Sequence, residues 1–106
     1  MNKLEITENT KGILVYAESL PPFDSKWLIL ISSASKEGRY YYIKRYISYS
    51  IIRNEWHFNN GISICWGTSE DCVFFEPTDD QKRLVAKKLA SLGYKFIPIL
   101  NKIVKK

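Results

Sequence analysis

Apolar and polar side chains alternate along residues 39–52, RYYYIKRYISYSII. A period of two predicts a β-strand with one face toward the core and one toward water. The odd positions form the predicted inner face: Tyr41, Ile43, Arg45, Ile47, Tyr49 and Ile51. The even positions form the predicted outer face: Tyr40, Tyr42, Lys44, Tyr46, Ser48 and Ser50. Because typical strands have about 5–6 residues, we expect a bend or β-bulge near Arg45, the one charge on the inner face.

Three further segments have the composition of β-strands. Residues 12–19, GILVYAES, form one predicted strand, and residues 71–76, DCVFFE, form another. Residues 26–32, KWLILIS, are apolar on both faces, which indicates a central strand covered on both sides. Residues 33–39, SASKEGR, are small and polar and include a glycine, so they predict a turn.

Residues 55–67, EWHFNNGISICWG, predict a β-hairpin that turns at Asn60-Gly61. A three-residue loop places Trp56 opposite Ile64 and keeps the apolar side chains together, whereas a two-residue loop scatters them over both faces. The predicted apolar face of this hairpin consists of Trp56, Phe58, Ile62, Ile64 and Trp66.

Residues 77–94, PTDDQKRLVAKKLASLGY, predict the one clear helix of the chain. Thr78 is the predicted N-cap, and Gln81, three residues later, completes a capping box. Gly93 is placed to end the helix, since glycine readily adopts the left-handed conformation needed there. The predicted apolar stripe of the helix consists of Leu84, Val85, Leu89 and Leu92.

The sequence from residue 94 to residue 106, YKFIPILNKIVKK, predicts a final hairpin with Pro98 at an edge or turn. Several strands, then a helix, then two strands predict an α+β protein. We expect a small antiparallel curled sheet or half-open barrel with one C-terminal helix followed by a short β-hairpin. With 106 residues, the chain is expected to form a single domain, residues 1–106.

Charge is distributed unevenly along a chain whose net charge is +5. Residues 69–80 contain five acidic residues and no basic one, whereas residues 81–106 contain eight basic residues and no acidic one. A basic cluster of this kind favours an anionic partner. A solvated helix face and a soluble tail explain the same charges at least equally well.

The sequence predicts a protein that is neither exported nor inserted into a membrane. Its first residues lack the apolar segment of a signal peptide, and its longest apolar run, residues 27–31, is far shorter than the ~20 residues of a membrane span. We therefore expect a soluble cytoplasmic protein, in the host cytoplasm if the chain is viral, with no membrane partner. Cys65 and Cys72 are expected to be reduced, with one disulfide as the alternative.

Few residues have the chemistry of an active site or a metal site. The sequence has no glycine-rich phosphate loop, and its two cysteines lack the spacing of a zinc site. His57, the single histidine, shares the predicted polar face of the hairpin with Glu55, Ser63 and Cys65. These four residues can be drawn as a catalytic cluster, but surface hairpins commonly alternate serine and acidic residues with apolar ones. We therefore expect no enzyme activity, no cofactor and no metal site.

Residues 74–106 resemble a C-terminal segment that recurs in small uncharacterised proteins of tailed phages and prophages of gut bacteria. The matching features are Pro77-Thr78, Asp79-Asp80, Gly93-Tyr94 and the lysines from Lys102 to Lys106. Phe96 stands where the similar proteins usually have a tryptophan. The resemblance implies a phage or mobile-element origin, and it carries over no functional residues.

We expect a non-enzymatic binding protein that recognises a protein partner, either a host protein or a second copy of this chain. Exposed tyrosines are typical of protein interfaces, because a rigid ring buries a large area at low entropic cost. The resemblance also implies such a role, since small phage proteins often act by occluding a host protein. The predicted partner-binding residues are Tyr40, Tyr42, Lys44 and Tyr46.

Binding of single-stranded nucleic acid, without sequence preference, is the alternative. Tyrosine rings stack on bases, and basic side chains neutralise phosphates. The predicted anion or nucleic-acid contacts are Arg83, Lys87, Lys95, Lys102, Lys105 and Lys106. Sequestration of a small ligand is a second alternative.

Overall fold

The structure, a computed structural model, describes residues 2–20, 25–58, 64–68, 71–97 and 102–105. Within these ranges the helix is α1 (Asp79–Ser91). The strands are β1 (Lys3–Leu4), β2 (Ile13–Ser19), β3 (Lys26–Glu37), β4 (Tyr40–Ser50), β5 (Glu55–Phe58), β6 (Ile64–Thr68), β7 (Cys72–Phe75), β8 (Tyr94–Ile97) and β9 (Lys102–Lys105). In the described ranges, no helix has the length and apolar character needed to cross a membrane.

Seven strands form one antiparallel sheet, which confirms the predicted α+β class. The main path of the sheet is β1-β7-β2-β3-β4-β5, and β6 also pairs with β4. No pairing among the described residues joins β1 to β5, so the sheet is curled but not closed. β8 and β9 form a separate antiparallel pair. Residues 98–101, which connect them, lie outside the described residues, so the predicted hairpin stays a prediction.

The pairing of β3 with β4 contains two bulges. Leu30 lies opposite Ile47 and Ile31 lies opposite Arg45, which leaves Tyr46 without an opposite residue. The next pair joins Ser33 to Lys44, which leaves Ser32 unpaired on the other strand. Each extra residue reverses the side of the sheet to which the following side chains point. The predicted irregularity near Arg45 is therefore confirmed.

β3 continues through most of the segment that was predicted to be a turn. The strand extends to Glu37, which pairs with Tyr40. The actual turn contains Gly38, whose φ of 59° is unfavourable for residues with a side chain. The polar composition of residues 33–36 therefore marks a surface strand rather than a loop.

The sheet curls so strongly that side chains from distant strands meet on its concave side. β2 and β3 lie between β7 and β4, and in a flat sheet this arrangement separates the outer two strands by about 14 Å. The rings of Phe74 on β7 and Tyr41 on β4 nevertheless pack edge to face, with centroids 5.0 Å apart. The side that carries both rings is therefore the concave side.

Each side of the sheet holds its own hydrophobic cluster. The concave cluster, which the N-terminal segment covers through Ile6, consists of Ile6, Val15, Ala17, Ile29, Ile31, Ala34, Tyr41, Ile43, Cys72 and Phe74. The convex cluster lies under α1 and consists of Leu14, Tyr16, Leu28, Leu30, Ile47, Val85 and Leu89. Fully burying one such aliphatic side chain contributes about 1.5–3 kcal/mol. Packing on both sides explains why the apolar run in β3 has no polar face.

The bulge at Tyr46 divides the odd positions of β4 between the two clusters. Tyr41 and Ile43 belong to the concave cluster, whereas Ile47 belongs to the convex cluster. The prediction of one inner and one wet face was therefore wrong beyond Tyr46. Ser48 and Ser50, predicted to face water, are each only 3% exposed.

The hairpin predicted for residues 55–67 was wrong in its pairing. Trp56 pairs with Tyr49, and Ile64 pairs with Ile43, so both strands of the predicted hairpin pair with β4. β5 and β6 therefore follow one another along the same edge of β4. The predicted turn at residues 59–61 lies outside the described residues.

The ends of α1 follow the predicted signals, but its buried stripe is narrower than predicted. The Thr78 hydroxyl accepts a hydrogen bond from the Gln81 amide, and the Gln81 side chain accepts one from the Thr78 amide, which completes the capping box. Gly93 follows the helix with a φ of 88°. Val85 and Leu89 are buried, whereas the other two residues of the predicted stripe, Leu84 and Leu92, are exposed.

Phe74→Ala is expected to lower the free energy of unfolding by about 3–5 kcal/mol, because it leaves a cavity in the concave cluster. Phe58→Ala is the matched control, since Phe58 is 49% exposed and its loss should cost about 1 kcal/mol or less. Urea denaturation followed by circular dichroism measures both values. Equal losses in the two variants would contradict the burial of Phe74.

Candidate functional site

The four residues predicted to bind a partner lie along one half of β4. We call Tyr40, Tyr42, Lys44 and Tyr46 the tyrosine strip. Tyr40 and Tyr46 are 41% and 37% exposed, respectively, and Tyr42 and Lys44 are half-buried. Their neighbours Tyr41 and Ile43 in the same strand are buried. The strip therefore presents aromatic surface on a strand that is anchored from its opposite side.

α1 leaves this half of the convex side uncovered within the described part of the chain. Tyr40, Tyr42 and Lys44 alternate with the concave residues Tyr41 and Ile43, so their side chains lie on the convex side. The convex cluster that contacts α1 instead uses the half of β4 beyond the bulge, from residue 47 onward. The bulge at Tyr46 thus separates the covered half of the convex side from the half that carries the strip.

Charges around the strip are nearly balanced. The Arg39 guanidinium lies 5.3 Å from the centre of the Tyr40 ring and donates a hydrogen bond of 3.3 Å to its hydroxyl. Glu37 pairs with Tyr40 across the strands, and Lys44 pairs with Ser33. These three described residues, one carboxylate and two cations, give the strip a small positive charge, far weaker than that of the C-terminal segment.

The residues predicted to contact anions lie on α1 and on the C-terminal strands. Arg83 and Lys87 are one turn apart on the exposed face of α1, and Arg83 pairs with Asp80 at 2.8 Å. Lys95 lies in β8, and β9 begins at Lys102 and ends at Lys105. Lys106 lies outside the described residues. The described basic residues are on different elements from the tyrosine strip.

The described residues of the cluster drawn around His57 do not come together, because His57 and Cys65 lie far apart along β4. His57 Nε2 lies 3.5 Å from Glu55 Oε2, and its ring centre lies 5.4 Å from that of Trp27. His57 pairs with Ser48, whereas Cys65 pairs with Tyr42, about 20 Å away along β4 at 3.3 Å per residue. Ser63 lies outside the described residues.

No metal site was identified in the part of the chain that the structure describes. A metal ion is usually held by three or more side chains of the His, Cys, Asp or Glu type, and no group of this size occurs there. Cys72 is buried and not bonded to another cysteine. The side chain of Cys65 lies outside the described part.

Sequence reasoning missed a groove between the N-terminal segment and the end of β3. It has a volume of about 440 Å³, and Tyr41 contributes to its wall. Its remaining lining residues are Leu4, Glu5, Ile6, Thr7, Glu8, Ser35 and Lys36. The sequence carries no signal for it, because the N-terminal segment has no clear strand pattern and residues 33–39 resemble a turn. Only the folded chain brings these two segments together.

Comparisons of the chain with protein-family models, with curated proteins and with solved structures found no match. The relation of residues 74–106 to phage proteins therefore stays a prediction.

Tyr41→Ala is expected to lower the free energy of unfolding by about 3 kcal/mol, because it removes a ring from the concave cluster. Tyr40→Ala, one residue earlier, should change the same quantity by about 0.5 kcal/mol or less. Chemical denaturation of the two purified variants makes the comparison. If Tyr40→Ala lowers the free energy of unfolding more than Tyr41→Ala does, the assigned orientation of the strip is wrong.

Proposed function

We propose that this chain is a non-enzymatic binding protein of phage or mobile-element origin that holds a protein partner through the tyrosine strip. The observation that carries the proposal is the exposure of Tyr40 and Tyr46, 41% and 37%, on a strand whose intervening residue Tyr41 is buried in the core. The partner is a host protein or a second copy of the chain.

The strip has the physical properties of a protein-binding surface. Tyrosine contributes a large apolar area and one hydroxyl while losing little conformational entropy on binding. The Arg39 guanidinium lies over the Tyr40 ring and hydrogen bonds to its hydroxyl. The Tyr40 side chain is therefore partly ordered before binding, and less conformational entropy is lost when a partner binds. Rigid surfaces of this kind bind more tightly because less entropy is lost.

The distribution of charge favours a protein over a nucleic acid as the partner. Affinity for nucleic acids depends mainly on neutralising phosphates with lysine and arginine. Among the described residues at the strip, Lys44 and the adjacent Arg39 are the cations available for this purpose, and Glu37 lies opposite Tyr40. Arg83 and Lys87, by contrast, lie on the exposed face of α1. A nearly neutral aromatic surface matches the aromatic-rich, charge-poor centre of protein interfaces.

A strip variant with Tyr40→Ala, Tyr42→Ala and Tyr46→Ala tests the proposal. Sedimentation velocity of the wild-type chain measures self-association, and affinity capture from bacterial lysate with mass spectrometry measures binding to other proteins. The strip variant should weaken the measured association at least about 30-fold, the effect of losing about 2 kcal/mol of contact energy.

A matched control carries Ile52→Ala and Phe58→Ala, two exposed apolar residues outside the strip. This control should bind as the wild type does, and both variants should keep the wild-type circular dichroism spectrum. Association that survives unchanged in a folded strip variant would show that the interface lies elsewhere.

One observation favours nucleic-acid binding as a second candidate function. Tyr40 and Tyr42 are two residues apart on one strand, a spacing of about 6.7 Å. A single strand stretched to roughly twice the ~3.4 Å rise of stacked nucleotides has the same spacing. Such an extended strand can place one base against each ring. Lys102, Lys105 and Lys106 then contribute phosphate contacts in this candidate.

Fluorescence anisotropy with a labelled oligothymidine tests this second candidate. Binding should weaken steeply with salt, because the logarithm of the affinity falls by about 0.7 per neutralised phosphate for each unit of log salt concentration. Changing Lys102, Lys105 and Lys106 to alanine should flatten this slope. Affinity that does not depend on salt, or an unchanged slope in the variant, would exclude this use of the basic residues.

A further inference from the structure

β3 extends beyond β2 and therefore has an edge that no described strand covers. The last pair between β2 and β3 joins Ile13 to Ile31, and the Gly12 amide donates a hydrogen bond of 2.6 Å to the Ile31 carbonyl. β3 then continues to Glu37, and within the described ranges its only pairing there is with β4. Among the described residues, no strand pairs with the outer edge of β3 from residue 33 to residue 37.

The main-chain groups of Ala34 and Lys36 point toward this edge. On a strand, residues whose side chains share one face also direct their amide and carbonyl groups to the same edge. Ile31 has a concave side chain and a carbonyl that faces β2. Beyond the bulge, Glu37 pairs with Tyr40 across the two-residue turn, so its main chain faces β4. The main chains of Ala34 and Lys36, at the alternate positions, therefore face the opposite edge. Outside the strand pairs, no backbone hydrogen bond of the described residues involves either residue.

The groove between the N-terminal segment and the end of β3 lies beside this edge. Ser35 and Lys36 form its wall on the side of β3, and residues 4–8 form the opposite wall. Its volume of about 440 Å³ falls within the range of about 300–1,000 Å³ that is typical of ligand sites. An edge of a sheet next to such a groove has the geometry used for β-strand addition, in which an extended peptide extends the sheet.

The charge of the groove is opposite to that of the whole chain. Glu5 and Glu8 contribute two carboxylates to the lining and Lys36 contributes one ammonium group, whereas the net charge of the chain is +5. The Lys36 ammonium lies 5.7 Å from the centre of the Tyr41 ring, so the wall of the groove already accommodates a cation. Burial raises the pKa of Tyr41, and the nearby charges of Cys72 and Glu5 raise it further. With two carboxylates against one ammonium group, the lining residues carry a net negative charge that favours a cationic ligand.

We propose that this groove binds an extended peptide with basic side chains at alternate positions, which adds as a strand to the free edge of β3. The main chains of Ala34 and Lys36 hydrogen bond to the peptide and provide affinity without regard to its sequence. Every second side chain of the peptide points to the concave side, where Glu5 and Glu8 select lysine or arginine. This site is independent of the tyrosine strip.

The probe for the test is a fluorescein-labelled peptide in which lysine alternates with threonine, measured by fluorescence anisotropy. The same peptide with alternate main-chain amides methylated should bind at least about tenfold more weakly, because lost hydrogen bonds to a sheet edge cost about 1.5 kcal/mol or more. A peptide with glutamate in place of lysine should also bind at least about tenfold more weakly. No detectable binding of the lysine peptide, or equal binding of the methylated peptide, would overturn the proposal.

Variants of the chain locate the binding site. Lys36→Pro removes an edge amide, and Lys36→Ala removes the same charge but keeps that amide, so only the proline variant should lose affinity. Glu5→Gln with Glu8→Gln should weaken binding severalfold, whereas Glu37→Gln, on the convex side, should not. If the proline variant fails to fold, the methylated peptide still tests pairing with the edge of β3, and the glutamine variants still test the role of Glu5 and Glu8.

The strip variant separates this proposal from the proposed function. It should bind the lysine peptide with wild-type affinity, because Tyr40, Tyr42 and Tyr46 do not line the groove. Loss of peptide binding in a folded strip variant would overturn the assignment of the peptide to the groove. Failure of the strip to bind a partner, in contrast, leaves peptide binding unaffected.

Discussion

Two unpaired residues, Ser32 in β3 and Tyr46 in β4, determine which side chains face each side of the sheet. Without them, strict alternation would place Tyr41 and Ile47 on the same side. With them, Tyr41 packs against Phe74 on the concave side, and Ile47 packs under α1 on the convex side. Bulges also increase strand twist and bending, which is consistent with the curl of this sheet. Both hydrophobic clusters therefore depend on the same irregular pairing.

The candidate sites follow from this pairing. Beyond the bulges, β3 and β4 continue as an arm that β2 and α1 do not cover within the described residues. The convex side of the arm carries Tyr40, Tyr42 and Lys44 of the tyrosine strip, and the outer edge of β3 borders the groove. The buried residues Tyr41 and Ile43 fix the arm to the core. Exposed aromatic rings, and a strand edge that no described strand covers, are thus held on a firmly packed support, the arrangement that binding sites require.

Features set by local sequence were predictable, whereas features set by distant pairing were not. The capping box at Thr78 and the end of α1 at Gly93 depend on neighbouring residues, and both were predicted. The alternation in β4 correctly placed Tyr40 outside and Tyr41 inside. The burial of Ser48 was missed because the bulge reverses the alternation after Tyr46. The pairing of β5 and β6 with β4 was missed because the Asn60-Gly61 turn signal favoured pairing of these two segments with each other. The groove was missed because it joins segments that are distant in the sequence.

Nuclear Overhauser effects between side chains test most directly whether β4 changes sides at Tyr46. In a uniformly folded sample with labelled methyl groups, the Tyr41 ring should show contacts to Phe74, and the Ile47 methyl groups should show contacts to the convex cluster, including Leu89. These two sets of contacts should share no member. Contacts from Ile47 to Phe74 would place both halves of β4 on one side and would contradict the structural basis of the tyrosine strip and of the groove.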